Sequence, residues 1–154
     1  MTLKEKIEDR SAKVGVIGLG YVGLPLAMEF IRAGFKVTGI DIDESKVKQL
    51  NKGQNYIQDV ADGELKAAVK SGQFKATADF SVLSSLDAVS ICVPTPLNKQ
   101  KDPDISYINN VMIKLAAFIH PDMLIILEST TYPGTTRELI LPKLEAQGFS
   151  AGKD

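Results

Sequence analysis

Apolar residues along the chain follow two different periods, and these periods alternate from the first residues to the last. Short, nearly continuous apolar runs predict five buried strands, over residues 13–20, 35–41, 74–78, 86–93 and 123–130. Between them, apolar residues recur at spacings of three and four, which predicts helices over residues 22–33, 44–51, 59–71, 104–119 and 133–148. Residues 1–12 are mostly polar and predict no more than a short helical turn.

Turn and cap residues support these boundaries. Gly34 follows the first long helix, Asp43 stands where it can cap the next one, and the last helix opens with Pro133 and closes with Gly148. Strands that alternate with helices over short loops predict an α/β fold with a parallel, doubly wound sheet of the Rossmann type. Right-handed crossovers then give the strand order 3-2-1-4-5, in a single domain over residues 1–154.

Composition narrows the classes of partner. The chain has 154 residues and a net charge of −1, so it lacks the excess of basic residues that nucleic acid or an anionic membrane would select. No apolar stretch approaches the roughly 20 residues of a membrane span, and the charged start lacks the apolar core of a signal peptide. The single cysteine cannot form an internal disulfide. We therefore expect a cytoplasmic protein without nucleic-acid or membrane partners.

The first predicted strand runs into three glycines, Gly18, Gly20 and Gly23, and a helix follows them. In such a strand–turn–helix unit the first glycine permits the tight turn, and the second lets a pyrophosphate approach the backbone. The third lets the helix pack closely on the strand. The free N–H groups at the helix start, around Tyr21 and Val22, would face the phosphate oxygens.

Asp41 supports the interpretation of this glycine pattern as a dinucleotide-binding turn. It ends the second predicted strand, 18 residues after Gly23, close to the usual spacing of about 20. A carboxylate there can accept both adenosine ribose hydroxyls and would repel a 2′-phosphate, which favours NAD over NADP. The alternative is a glycine-rich turn followed by an aspartate that only caps a helix.

Hydroxyl groups follow the fourth and fifth predicted strands, at the edge of the sheet where ligands of such folds bind. In "VPTP", two prolines fix the backbone around Thr95, which can present its N–H and hydroxyl to a ribose or nicotinamide; otherwise it is part of a rigid turn. In "ESTTYPGTT", Ser129, Thr130 and Thr131 come just before the last helix, where simple N-capping is the alternative.

The remaining reactive side chains show no catalytic arrangement. Cys92 falls inside the fourth apolar strand and is expected to act as a small buried hydrophobe. His120 has no acid–base partner or metal-ligand spacing around it, so we expect a structural role. The sequence thus predicts a cofactor site without a nucleophile–base pair and without a metal.

Four segments together, "GVIGLGYVGLPLA", "GIDIDESKVKQLNKGQNYI", "CVPTPL" and "ESTTYPGTTREL", resemble the UDP-glucose/GDP-mannose dehydrogenase family. The runs "YVGLPLA" and "TTYPGTT" are most similar to the branch that oxidises UDP-N-acetylhexosamines, UDP-N-acetylglucosamine 6-dehydrogenases above all. The alternatives are UDP-N-acetylmannosamine or UDP-glucose dehydrogenases of the same family and a non-catalytic NAD(H)-sensing module.

The resemblance implies an NAD-binding N-terminal domain of a longer enzyme that oxidises the C6 alcohol of the sugar to a carboxylate with two NAD⁺. In that family a central helix leads to a sugar-nucleotide domain, which carries the nucleophilic cysteine, and the full-length enzyme is a homo-oligomer. These parts would lie beyond residue 154, so we expect the chain alone to be inactive.

The resemblance also implies roles for individual residues. The pyrophosphate is expected at Gly18, Gly20, Tyr21, Val22 and Gly23. Asp41 would bind the adenosine ribose, Lys46 would flank the adenosine, and Thr95 would lie by the nicotinamide ribose. Thr130 would lie near the nicotinamide and help order a catalytic water, which makes it the one predicted catalytic residue.

Overall fold

A computed structural model describes residues 1–99 and 101–153. Its five strands form one parallel sheet in the order β3-β2-β1-β4-β5, which confirms the predicted doubly wound topology. The strands are β1 (Lys13–Ile17), β2 (Lys36–Ile40), β3 (Phe74–Thr77), β4 (Ala88–Ile91) and β5 (Leu124–Leu127). Because the order reverses beside β1, the loops after β1 and β4 leave the sheet side by side and open a crevice.

Helices alternate with the strands, as the apolar spacing predicts, with one helix before β1 and one after β5. They are α1 (Leu3–Glu8), α2 (Gly23–Arg32), α3 (Glu44–Asn51), α4 (Asp62–Lys70), α5 (Ser106–Ala116) and α6 (Leu141–Glu145). The α3 helix has the predicted bounds because the Asp43 side chain accepts hydrogen bonds from the backbone N–H groups of Ser45 and Lys46. In the part of the chain that the structure describes, no helix is long and apolar enough to cross a membrane.

Two apolar clusters cover the two faces of the sheet. Val14 and Val16 of β1 belong to the cluster under α2 and α4, whereas Ile17 belongs to the cluster under α5. Burial on both faces explains why the strands read as continuous apolar runs rather than as alternating ones. The sheet is thereby fixed between two helical layers, with only its edges open to solvent.

The last predicted helix, 133–148, is not one regular helix. Its first turn, Thr136–Ile140, has π-helical hydrogen bonding, and the α-helical part begins only at Leu141. Pro142 explains the interruption, because proline lacks the N–H that a regular turn would bond and its ring crowds the preceding turn. The prediction was therefore right in place but wrong in regularity and at both ends, because the two helical segments run from 136 to 145.

A short 3₁₀ helix, Phe80–Ser85, was not predicted. The Asp79 carboxylate begins it by accepting a hydrogen bond from the backbone N–H of Ser81 at 2.9 Å. Phe80 and Leu83 are buried in the cluster under α5, so this segment packs on the same face of the sheet as α5.

Candidate dinucleotide-binding site

A cavity of about 630 Å³ opens at the carboxyl ends of the strands. Its walls come from the loops after β1, β2, β4 and β5 and from one side of α5. Eight of the nine residues predicted to bind the cofactor line it: Gly18, Gly20, Tyr21, Val22, Asp41, Lys46, Thr95 and Thr130. The fold thus brings together side chains and backbone from four separate loops and, with Lys46, from the first turn of α3. The ninth residue, Gly23, lies behind the cavity in the first turn of α2.

The three glycines differ in what surrounds them. Gly18 has a φ of +91°, and a Cβ there would lie 2.7 Å from the Cys92 carbonyl oxygen. A Cβ on Gly23 would lie 1.7 Å from the Gly18 carbonyl oxygen. A Cβ on Gly20, by contrast, would meet no atom within 4 Å. Gly18 and Gly23 are therefore required by the fold itself, whereas Gly20 keeps open a space that the fold does not fill.

Asp41 is bound into the glycine loop as well as facing the cavity. Its Oδ2 accepts a hydrogen bond from the backbone N–H of Leu19 at 2.9 Å, and its Oδ1 accepts one from Asp43 at 3.0 Å. The residue is only 8% exposed. Each carboxylate oxygen can accept more than one hydrogen bond, so both retain capacity for ribose hydroxyls. Asp41 was predicted to bind ribose, but its bond to the glycine loop was not foreseen.

Charge and apolar surface surround Asp41 at this end of the cavity. Ile42 is 69% exposed and offers an apolar side chain next to the carboxylate. Hydrogen bonds from Ser45 and Lys46 hold the pKa of Asp43 below its usual value, so a second negative charge is present. The Lys46 ammonium, which also lines the cavity, stands 5.9 Å from the centre of the Tyr56 ring.

The loops after β4 and β5 are tied to each other at the opposite end of the cavity. The Thr95 hydroxyl donates to the Thr130 carbonyl oxygen at 2.6 Å, and the Ser129 hydroxyl donates to the Val93 carbonyl oxygen at 2.7 Å. The Thr95 hydroxyl proton is therefore engaged within the protein. The sequence predicts that Thr95 presents its N–H and its hydroxyl to a ligand, and the engaged hydroxyl offers its lone pairs.

Thr131 separates from its two hydroxyl neighbours. It lines a second cavity, of about 380 Å³, together with Tyr132 and Arg137, whereas Ser129 and Thr130 line the main one. The following helical segment begins at Thr136, so Thr131 does not cap it. Only two of the three predicted hydroxyls are thus brought to the main cavity.

Cys92 and His120 have surroundings that favour structural roles. Cys92 lies just beyond the last residue of β4 rather than inside the strand, and it is 8% exposed. Burial, with a smaller contribution from the charge of Glu128, raises the pKa of the Cys92 thiol to about 11. The two ring nitrogens of His120 lie 2.8 Å and 2.9 Å from the backbone carbonyl oxygens of Leu86 and Pro121. Within residues 1–99 and 101–153, no three His, Cys, Asp or Glu side chains are grouped to hold a metal ion.

Sequence reasoning missed the wall of the cavity that α5 supplies. Tyr107, Asn110, Val111 and Lys114 all face it. The Lys114 ammonium also stands 4.5 Å from the centre of the Phe80 ring, which lines the same wall. Val111 follows the apolar spacing of the helix predicted over residues 104–119. Tyr107, Asn110 and Lys114 carry polar groups, so apolar periodicity does not mark them.

Residues 12–152 match the NAD binding domain of the UDP-glucose/GDP-mannose dehydrogenase family. The chain belongs to this family. Its cavity suits the dinucleotide for which the family domain is named, because Gly20 keeps free the space that a pyrophosphate needs and Asp41 offers carboxylate oxygens. The chain is therefore an NAD-binding domain.

The relatives that the chain matches are longer proteins, and they have related activities. The chain is 35% identical to a UDP-N-acetyl-D-mannosamine dehydrogenase of Pyrococcus horikoshii, over 92% of the chain and 34% of the relative. It is also 35% identical to a UDP-N-acetyl-D-glucosamine 6-dehydrogenase of Pseudomonas aeruginosa, over 88% of the chain and 31% of the relative. The solved NDP-N-acetyl-D-galactosaminuronic acid dehydrogenase of Methanosarcina mazei Go1 superposes with a TM-score of 0.86 at 35% identity, covering 100% of the chain and 36% of that structure. The chain thus spans about a third of the length of the relatives it matches.

Proposed function

We propose that this chain holds NAD⁺ in the cavity at the carboxyl edge of the sheet, for a nucleotide-sugar 6-dehydrogenase. The observation that carries the proposal is the convergence of eight predicted residues, seven from four loops and Lys46 from α3, on that one cavity. In this arrangement the N–H groups near Tyr21 and Val22 bind the pyrophosphate, and Asp41 binds the adenosine ribose. The bound NAD⁺ supplies the hydride acceptor for oxidation of the sugar C6 alcohol.

We propose a UDP-N-acetylhexosamine as substrate, with UDP-N-acetylglucosamine as the first to test. The runs "YVGLPLA" and "TTYPGTT" support this branch, although the identity to mannosamine enzymes, 35% and 37%, is no lower than the identity to glucosamine enzymes, 35% and 33%. The test is NADH formation from UDP-N-acetylglucosamine, UDP-N-acetylmannosamine and UDP-glucose, by an enzyme that carries this chain as its cofactor domain. Higher kcat/KM for UDP-N-acetylglucosamine is expected. Faster oxidation of either of the other sugars would reassign the substrate.

Thr130 is the one residue of this chain to which we assign a part in the reaction. Its side chain is exposed at the cavity, and its carbonyl is fixed by the Thr95 hydroxyl. The hydroxyl is therefore free to orient a water near the nicotinamide, while the covalent chemistry belongs to residues of the sugar-binding part. We further propose a cytoplasmic, homo-oligomeric enzyme in which this chain forms the N-terminal domain.

The chain is expected to bind NAD⁺ at least tenfold more tightly than NADP⁺, a difference of about 1.4 kcal/mol. The Asp41 and Asp43 carboxylates both stand where a 2′-phosphate would come, and like charges repel. Asp41→Asn should narrow this ratio, since it removes one charge and keeps one acceptor for the glycine loop. Asp122→Asn removes the same charge from an exposed turn before β5 and should leave the ratio unchanged. Equal affinities of the unmodified chain in calorimetric titrations would contradict the assignment of Asp41.

The chain alone is expected to bind NAD⁺ without oxidising UDP-N-acetylglucosamine. Its only thiol, Cys92, is buried and keeps its proton at neutral pH, so it is not the thiolate that covalent catalysis requires. NADH absorbance during incubation with the sugar nucleotide is the measurement, against about 1 s⁻¹ for ordinary enzymes. Steady turnover that disappears in Cys92→Ser would show that the chain carries its own nucleophile.

A further inference from the structure

Both backbone polar groups of Leu19, the residue between Gly18 and Gly20, are held by side chains. The Asp41 carboxylate accepts a hydrogen bond from the Leu19 N–H at 2.9 Å, and the Tyr56 hydroxyl donates one to the Leu19 carbonyl oxygen at 2.6 Å. The Leu19 side chain is fully buried, and a Cβ on Gly39 would lie 2.8 Å from its Cδ1 atom. The middle of the glycine loop is therefore fixed from three directions.

Tyr56 lies outside the cavity, on the segment that joins α3 to α4. The Asn55 side chain organises this segment: its Nδ2 donates to the carbonyl oxygens of Ile57, at 2.6 Å, and of Val60. Its Oδ1 accepts from the N–H of Ile57 at 2.8 Å. At the end of α3, Asn51 exchanges two hydrogen bonds with the backbone of Ala76 in β3. The segment that carries Tyr56 is thus tied both to itself and to the edge of the sheet.

The surroundings of Tyr56 fix the direction of its hydrogen bond. The ring packs half-buried against the apolar cluster under α2 and α4. Burial raises the pKa of Tyr56 well above its ordinary value, and the charges of Asp41 and Asp43 raise it further. The phenol therefore keeps its proton, and its O–H donates a hydrogen bond to the Leu19 carbonyl oxygen. Tyr56 does not line the cavity, so any effect it has on a cofactor passes through the glycine loop or through Lys46.

We propose that Tyr56 is a positioning residue for NAD⁺, whose hydroxyl holds the glycine loop in the conformation that receives the pyrophosphate. The proposal rests on the proposed placement of the cofactor. Backbone donors bind an anion well only when they already point at it, because ordering a loop upon binding costs conformational free energy. Fixing the Leu19 carbonyl orients the peptide that leads into Gly20 and hence the N–H groups that follow it.

Tyr56→Phe isolates the hydroxyl, because the ring and its contact with Lys46 remain. We expect this variant to bind NAD⁺ roughly three- to tenfold more weakly, in line with one lost hydrogen bond. Adenosine, which has no phosphate, should bind the variant and the unmodified chain equally. The measurements are calorimetric titration with NAD⁺ and ligand-observed NMR titration with adenosine. Amide hydrogen exchange over residues 15–24 should become faster in the variant.

Lys6→Met is the matched control. It also removes one side-chain hydrogen bond, from Lys6 Nζ to Asp87 at 2.6 Å. Asp87 lies directly before β4, at the end of the strands opposite the cavity. Lys6→Met should leave NAD⁺ affinity and exchange over residues 15–24 unchanged. NAD⁺ affinity of Tyr56→Phe within about twofold of the unmodified chain would overturn the positioning role. An equal loss of adenosine affinity would also overturn this role, and so would the failure of Tyr56→Phe to fold. Failure of the unmodified chain to bind NAD⁺ would instead contradict the proposed function itself.

Discussion

Gly20→Val is expected to lower NAD⁺ affinity at least a hundredfold, about 2.8 kcal/mol, while the domain stays folded. A Cβ at this position would meet no protein atom within 4 Å, and the residue lines the cavity. The valine side chain would therefore disturb no packing, but it would fill the space in which a pyrophosphate approaches the backbone. The expected result is a loss of binding without a loss of stability.

The measurement combines calorimetric titration with NAD⁺ and urea unfolding of the same samples. Gly63→Val is the control, because a Cβ at Gly63 also meets nothing within 4 Å, yet Gly63 lies on α4 away from the cavity. This control should bind NAD⁺ as the unmodified chain does. Normal NAD⁺ binding by Gly20→Val would mean that the cofactor does not lie over the glycine loop.

Gly23→Ala is expected to destabilise the fold by more than about 3 kcal/mol, the range of severe core overpacking. The added Cβ would lie 1.7 Å from the Gly18 carbonyl oxygen and 3.2 Å from the Cys92 Cβ. Because the nearest atom belongs to the backbone of a tight turn, α2 would have to move away from β1. The free energy of unfolding in urea is the measurement.

Gly63→Ala is the matched control for this prediction. The same change at an open position in the first turn of α4 should stabilise the domain slightly, since alanine favours a helix over glycine by roughly 0.5–1 kcal/mol. The two substitutions are therefore expected to have opposite signs. A Gly23→Ala variant as stable as the unmodified chain would contradict the close packing of helix and strand at the third glycine.

Much of the fold could be predicted because the spacing of apolar residues in the sequence agrees with their burial in the folded structure. Leu24, Ala27 and Met28 follow the helical spacing, and all three are buried residues of α2. The β-strands needed only continuous apolar runs, because helices cover both faces of the sheet. Parallel pairing and right-handed crossovers then leave few topologies, and the observed order is the expected one.

The strands were predicted to run past their observed ends. The predicted strand over residues 123–130 includes three polar residues after Leu127, where β5 ends. The N–H groups of Glu128 and Ser129 both donate to the carbonyl oxygen of Ile91, the last residue of β4, at 3.0 and 3.2 Å. The regular ladder therefore ends there, and the chain turns toward the cavity, at the residue where the apolar run itself ends.

Residues of the candidate site could be predicted where the role depends on a single position. They could not be predicted where the role depends on a contact between residues far apart in the sequence. The glycine loop and Asp41 could be found by spacing, because each role follows from a conformation or a charge at one position. Tyr56 could not be found this way. Its hydroxyl reaches a carbonyl 37 residues earlier in the chain, and it sits in a segment without helical or strand periodicity. Only the folded structure shows that the α3–α4 segment contacts the glycine loop.

The most direct test is a crystal structure of the chain grown with NAD⁺. The pyrophosphate is expected within hydrogen-bond distance of the backbone N–H groups near Tyr21 and Val22, and the adenosine ribose hydroxyls on the Asp41 carboxylate. The nicotinamide should then lie toward Thr95 and Thr130, at the other end of the cavity. NAD⁺ bound elsewhere on the chain, or bound here with its ribose away from Asp41, would contradict the account.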